Sequence, residues 1–260
     1  MSGTDYYQSF FEPKEYLKFY CCLPESQRLL FILRHMAEIF NSGKVQGETL
    51  IDIGSGPAIH PLLSACEAFT DIICTDLTDR NREELEAWLT NQPEAFDWST
   101  VVKHVCQLEG DRITWGEKED RLRKAIKQVL KCDVMESNPT DPVVLPQADC
   151  ILSCLCLESA CKDHEAYTAA LNNMTTLLKP GGHLVMAGVL GGKCYMVGEV
   201  KFLGLSLSEA FIRESLSGAG YITEKFESSG ESRERWEKTS EFSSYYVFVA
   251  RKNAYTEGKI

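Results

Sequence analysis

Apolar residues recur at helical spacing over residues 25–41 (Leu29, Leu30, Ile32, Leu33, Met36, Ile39, Phe40), and Asn41-Ser42-Gly43 ends the run. Beyond it, short apolar runs alternate with helical stretches. Strands are expected at 49–53, 71–75, 131–134, 148–154 and 183–189. Helices are expected at 58–69, at 79–89 opened by an Asp cap, at 118–129 and at 164–178, where Pro180-Gly181-Gly182 breaks the last. Strand alternating with helix requires a parallel sheet covered on both faces. The ending departs from that rhythm. A helix at 208–219 precedes two strand patterns, 221–227 and 244–251, separated by a highly charged stretch, 230–240, that reads as an exposed loop or hairpin tip. Two strands without a crossover pair antiparallel. The expected fold class is therefore α/β: a seven-stranded, mostly parallel sheet with helices on both faces and a C-terminal antiparallel hairpin.

Length and charge narrow the role. The 260 residues are 44% hydrophobic and 25% charged, enough for one domain, 1–260, with a substantial core. Net charge is -11, from 38 acidic and 27 basic residues, which argues against nucleic acid or an anionic membrane as the partner. No apolar run approaches the roughly 18–20 residues that span a bilayer. The amino terminus lacks the basic start and apolar stretch of a secretory signal, so a cytoplasmic location is expected. Eleven cysteines without paired C-x-x-C spacing read as reduced thiols and not as a metal site, so no metal is expected.

The chemical signal begins at Leu50-Ile51-Asp52-Ile53-Gly54-Ser55-Gly56-Pro57. Glycines directly after a buried strand permit a tight turn and the approach of a ligand to the backbone; the structural alternative is a plain strand-to-helix turn. The third glycine of a dinucleotide fingerprint is absent, since Ile59 stands there. Asp52 near the turn would repel a pyrophosphate and accept from an ammonium, so a nucleoside bearing a cationic amino-acid tail fits better than NAD. Asp76, at the end of the second strand, is placed for ribose hydroxyls, or as a loop or capping residue. Asp133, at the end of the third, is placed for the exocyclic amine of adenine. Acidic residues at three strand ends share one crevice.

Asp52-Ile-Gly-Ser-Gly-Pro, Asp76, Lys131-Cys-Asp-Val, Leu177-Leu-Lys-Pro-Gly-Gly and the terminal strand pair resemble a Rossmann-like class I S-adenosylmethionine-dependent methyltransferase. Further stretches narrow the likeness: Glu12-Pro-Lys-Glu-Tyr16, Pro93-Glu-Ala-Phe-Asp-Trp98, Cys156-Leu-Glu158 and Tyr195-Met-Val-Gly-Glu199. Over residues 6–252 the chain is similar to the nicotinamide, indolethylamine and phenylethanolamine N-methyltransferase family. The resemblance implies S-adenosylmethionine as cofactor, held by Tyr16, Tyr20, Gly54, Ser55, His60, Asp76, Asn81, Asp133, Val134 and Cys154. It implies an acceptor site of Tyr7, Leu155, Glu158, Gly188 and Tyr195, with Glu158 as the catalytic acid–base group. Tyr16 and Tyr20 also read as packing residues, and Glu158 as a first-turn acid favoured by a helix dipole.

Methyl transfer to a nitrogen is an in-line displacement for which the protein supplies position and exclusion of water. An aromatic amino-terminal lid, residues 1–24, is expected over the site. The acceptor expected is a small amine or pyridine with a neutral nitrogen, in a monomeric enzyme. Gly188 and Gly204 stand where nicotinamide-methylating relatives place an aspartate and a serine, and Gly191-Gly192 where phenylethanolamine enzymes place an acid. These departures point to a roomy, indolethylamine-type pocket. The alternatives are an inactive cofactor-binding protein, a thioether S-methyltransferase and, least compatible with the glycine pattern, a nicotinamide-dependent oxidoreductase.

Overall fold

The structure, a computed structural model, describes residues 3–22, 26–230 and 240–254; the ends of the expected lid and most of the charged loop at 230–240 lie outside the described residues. Two short helices, α1 (Gly3–Phe10) and α2 (Pro13–Tyr20), lead into α3 (Gln27–Phe40). The side chain of Ser26 caps α3 by accepting from the Leu29 N–H. There follow β1 (Thr49–Ile53), α4 (Leu62–Ala65), β2 (Asp71–Asp76), α5 (Asp79–Leu89), α6 (Ser99–Leu108), α7 (Trp115–Ala125), β3 (Ile126–Lys131) and β4 (Ala148–Cys154). The remainder is α8 (Leu157–Ala160), α9 (His164–Thr176), β5 (Leu178–Leu190), β6 (Cys194–Val197), β7 (Val200–Leu203), α10 (Glu209–Gly218), β8 (Tyr221–Ser228), β9 (Ser240–Glu241) and β10 (Ser244–Lys252).

Seven strands form the main sheet in the order β3-β2-β1-β4-β5-β10-β8. The pairs among β3, β2, β1, β4 and β5 are parallel, and β10 runs antiparallel between β5 and β8. Buried residues of α3 to α7 pack on one face and those of α8 to α10 on the other. Chain order reverses between β1 and β4, so the crevice of an open α/β sheet falls at their carboxyl ends.

The elements depart from the sequence pattern in instructive places. The helix expected at 58–69 contracts to the four residues of α4, with Pro61 at its start. Proline lacks an N–H and disfavours helical geometry in the residue before it, so the chain winds up only afterwards. The boundary expected near 129–131 moves to Ile126: a Thr114–Glu117 capping box starts α7 early, and β3 is complete by Lys131. Thr78, not Asp79, is the N-cap of α5, and its hydroxyl donates to Asp76. Helix α6 was not expected, and neither was a small antiparallel sheet, β7-β6-β9. No described helix is long and apolar enough to cross a membrane.

Behind the site, one buried cation joins three elements. Lys118 of α7 is fully buried and pairs with Glu109 after α6 and, at 2.6 Å, with Glu67 after α4. Removing the ammonium leaves Glu109, with 3% side-chain exposure, without its ion-pair partner, a loss of about 3–5 kcal/mol. Lys118→Met is therefore expected to lower the melting temperature of the ligand-free protein sharply, and adding Glu109→Gln to recover part of the loss. Thermal unfolding of the single and double variants checks both.

Candidate active site

The glycine turn is fixed by close packing as much as by its flexibility. Gly54 has φ +70°, and an ideal Cβ there would lie 2.3 Å from Cys156 Sγ. Backbone bonds then stitch the ends of β1 and β2 together: Ser55 N–H donates to the Thr75 carbonyl at 2.8 Å, and Thr75 Oγ1 donates to the Asp52 carbonyl at 2.9 Å. Gly56 N–H donates to Asp76 Oδ2 at 2.8 Å, so the turn and the second strand end are locked as one piece.

Around this piece opens a cavity of about 1110 Å³. Its wall includes Gly54, Ser55, His60, Asp76, Asp133, Val134, Cys154, Leu155 and Glu158, with Tyr7, Tyr16, Tyr20 and Tyr195 as aromatic cover. Asp76 and Asp133 thus face one cleft. Asn81 and Gly188 do not line it. Asn81 is buried and donates to Asp76 Oδ1 at 2.9 Å, while Gly188 lies behind Glu158. Asp133 falls two residues past β3, in a turn where its Oδ1 accepts from the Met135 N–H at 3.0 Å.

Asp76 is 6% exposed, and its Oδ1 takes three donors: Thr78 N–H, Thr78 Oγ1 and Asn81 Nδ2, each at 2.9 Å. Oδ2 takes one, which leaves acceptor capacity on that oxygen. Asp52, beneath the turn, is 1% exposed, and neither carboxylate oxygen has a hydrogen-bond partner. Burial pushes it up to about 7. His60 packs on Trp98 with ring centroids 6.0 Å apart, and burial lowers it to about 3, so it is a neutral imidazole.

On the acceptor side the chain leaves β4 through Leu155, a non-glycine residue at φ +58°, a conformation that costs on the order of 1–2 kcal/mol. That turn starts α8 and aims Glu158 at the cavity. Glu158 Oε1 accepts from the Val189 N–H at 3.2 Å, Oε2 has no partner, and burial raises the carboxyl to about 7. An ideal Cβ on Gly188 would lie 2.5 Å from Glu158 Oε1 and 2.8 Å from the Tyr246 hydroxyl. The glycine therefore makes way for Glu158 and does not enlarge the pocket.

The aromatic segment sits on the small sheet. Phe202 of β7 is flanked by Tyr7 at 5.4 Å, Phe11 at 5.8 Å and Tyr195 at 5.4 Å between centroids. Tyr20 donates its hydroxyl to the Met196 carbonyl at 2.8 Å. Sequence reasoning missed Arg28, which also lines the cavity, and Tyr246 behind it. The signal available for Arg28 was a charge interrupting the apolar residues that open α3.

The profile of the NNMT/PNMT/TEMT family matches residues 1–253. Human nicotinamide N-methyltransferase is 50% identical over 231 residues, covering 87% of this chain and 88% of that enzyme. Rabbit (Oryctolagus cuniculus) indolethylamine N-methyltransferase is 47% identical, covering 86% and 87%. Among solved structures, magnesium protoporphyrin IX methyltransferase from Synechocystis with bound SAH shares the fold, with TM-score 0.60 at 10% identity, covering 97% and 100%.

Asp52 provides a pH test. The folded protein keeps its proton up to about pH 7, whereas the unfolded chain releases it near pH 4. The folded state binds more protons across that window, so this group removes stability as pH rises from about 4 to about 7, and no more beyond. Asp52→Asn abolishes that contribution. The ligand-free variant should melt above the parent at pH 8, with the difference shrinking by pH 5; a difference unchanged between the two pH values refutes the assignment.

Proposed function

The chain belongs to the NNMT/PNMT/TEMT family, and from that premise we propose that its cavity holds the methyl donor against the glycine turn and a small primary amine against Glu158. It is an S-adenosylmethionine-dependent N-methyltransferase of small molecules. The inactive alternative is not favoured.

The residues fit the donor. Asp76 at the cavity wall keeps acceptor capacity for a ribose hydroxyl, while Asp52 lies beneath the turn and does not line the cavity. The second Asp133 oxygen and the Val134 backbone would meet an adenine, and Tyr16, Tyr20, His60 and Cys154, which line the same cavity, would enclose the amino-acid end. When bound, the donor supplies a methyl group carried on a sulfonium. Asn81 contributes through Asp76, whose orientation it fixes.

The chain's own work is positioning, water exclusion and proton acceptance. Holding two reactants at near-attack distance is worth roughly 7–11 kcal/mol without a protein nucleophile. Helices α1 and α2 supply the cover, and the rings of Tyr7 and Tyr195 supply flat walls for an aromatic acceptor. The observation that carries the amine assignment is Glu158: a buried carboxyl raised to about 7, with Oε2 unpartnered, at the cavity wall. Once ionised it attracts an ammonium and accepts its proton at Oε2, which frees the nitrogen lone pair. Leu155 holds the turn that aims it.

A monomer acting in the cytoplasm, without nucleic acid, completes the proposal. Net charge of -11 and eleven unpaired cysteines in the chain support it. A panel of indolethylamines, pyridines and thioethers, read by mass detection of methylated product, tests the acceptor class.

With an alkylamine, kcat/KM should rise with pH through about 7 as Glu158 ionises. Glu158→Gln should lose that limb and about 100-fold or more in kcat/KM, the range for a positioned acid–base group. With a pyridine acceptor, which needs no deprotonation, the same variant should fall far less. Equal losses for both acceptors would refute the proton-acceptor role.

A further inference from the structure

Among the described cations that line the cavity, Lys18, Lys162, Lys193 and Lys201 are exposed and Arg28 is not. It lies in the first turn of α3 and lines the cavity, half-buried, with Cζ 4.4 Å from the centroid of the Tyr20 ring. Among the described residues it has no ion pair and no hydrogen bond. The groups that raise its pKa are Tyr16, Cys21, Tyr20 and Cys154, all neutral at pH 7, so none is a counter-ion. Burial opposes its charge, and a half-buried guanidinium without an anion is costly.

Its surroundings locate the missing charge. Tyr16, Tyr20, His60 and Cys154, which feel Arg28 electrostatically, form the end of the cavity beside the glycine turn, and Glu158 on the acceptor side feels it as well. Tyr20 is itself fixed through its hydroxyl to Met196. A guanidinium laid on that ring keeps its N–H edge free for a planar, two-oxygen acceptor. A half-buried guanidinium beside a turn that is open to a nucleoside's amino-acid tail matches that tail's carboxylate. A lone cation would repel a sulfonium donor; a cation neutralised by the donor's own carboxylate does not.

We propose that Arg28 binds the α-carboxylate of the methyl donor, as the residue that selects a nucleoside carrying an intact amino acid. This rests on the donor site proposed above, and the test separates the two. Isothermal titration calorimetry compares three probes on wild type and Arg28→Met: S-adenosylhomocysteine, its α-carboxamide, and 5′-methylthioadenosine, which lacks the amino acid.

In the wild type the carboxamide should bind about 10- to 100-fold more weakly than S-adenosylhomocysteine, the range for a charge-assisted hydrogen bond. Arg28→Met should lose the same factor for S-adenosylhomocysteine, leave the carboxamide and methylthioadenosine within about 3-fold of wild type, and thereby erase the preference for the acid. Arg28→Lys should recover part of it. Retained methylthioadenosine binding shows that the variant is folded around its nucleoside site. The proposal is overturned if Arg28→Met weakens all three probes alike, or leaves S-adenosylhomocysteine unchanged while the KM of an acceptor rises, which would place an anionic acceptor at Arg28. If wild type binds none of the three, the donor site itself falls, and this assignment with it.

Discussion

The Asp76 carboxylate accepts hydrogen bonds from Gly56 N–H, from the N–H and hydroxyl of Thr78 and from the Asn81 amide, and through them ties the glycine turn, the end of β2 and the start of α5 into one rigid body. A bare carboxylate at 6% exposure would be expensive. Four donors make it affordable and leave no freedom to rotate. The cavity floor is consequently set by hydrogen bonds that exist before any ligand arrives, which is the pre-organisation that positional catalysis depends on.

Other charges at the site are deliberately less satisfied. Asp52 has no partner on either oxygen, Glu158 has one oxygen bonded and one free, and Arg28 has no counter-ion among the described residues. Burial moves both carboxyls up to about 7, the direction that low dielectric imposes on an acid, and for Glu158 it outweighs the opposing field of Arg28. Each therefore changes charge readily near neutral pH when a cation comes close. His60 goes the other way and stays neutral against Trp98, so no imidazolium competes with a cationic ligand. The stability withheld by these groups is available as binding energy, in keeping with the clustering of perturbed titrations at functional sites.

Much of this was legible in the sequence because it follows from short-range pattern. The strands at 49–53 and 148–154 and the helix at 79–89 match the observed bounds, and the terminal strand pair folds back antiparallel as the lack of a crossover requires. The strand-end acids Asp76 and Asp133 line one cavity. What escaped depends on long-range packing or on a single backbone atom. Pro61 shortened α4, and the Thr114–Glu117 capping box started α7 early enough to shift β3 toward the amino terminus. The small sheet β7-β6-β9 has strands of two to four residues, too short for periodicity to register, yet it carries Tyr195 and Phe202 against the amino-terminal aromatics. Asn81, expected at the cofactor, is buried, donates to Asp76 and does not line the cavity.

Gly188 shows where composition at one position misleads. The sequence presents it as a missing side chain and hence as added room for the acceptor. In the fold, the volume beside its Cα belongs to Glu158 Oε1 and the Tyr246 hydroxyl, both closer than any real Cβ tolerates. Tyr246 is fully buried in β10, the antiparallel strand paired with β5, so it cannot swing aside cheaply. An aspartate at 188 and Glu158 in its present place exclude each other sterically, and two carboxyls forced together there would retain a proton between them. The glycine is thus the condition under which a single acid, bonded to the Val189 N–H, reaches the cavity wall. One carboxylate with one free oxygen is the arrangement on which the proposed amine acceptor rests.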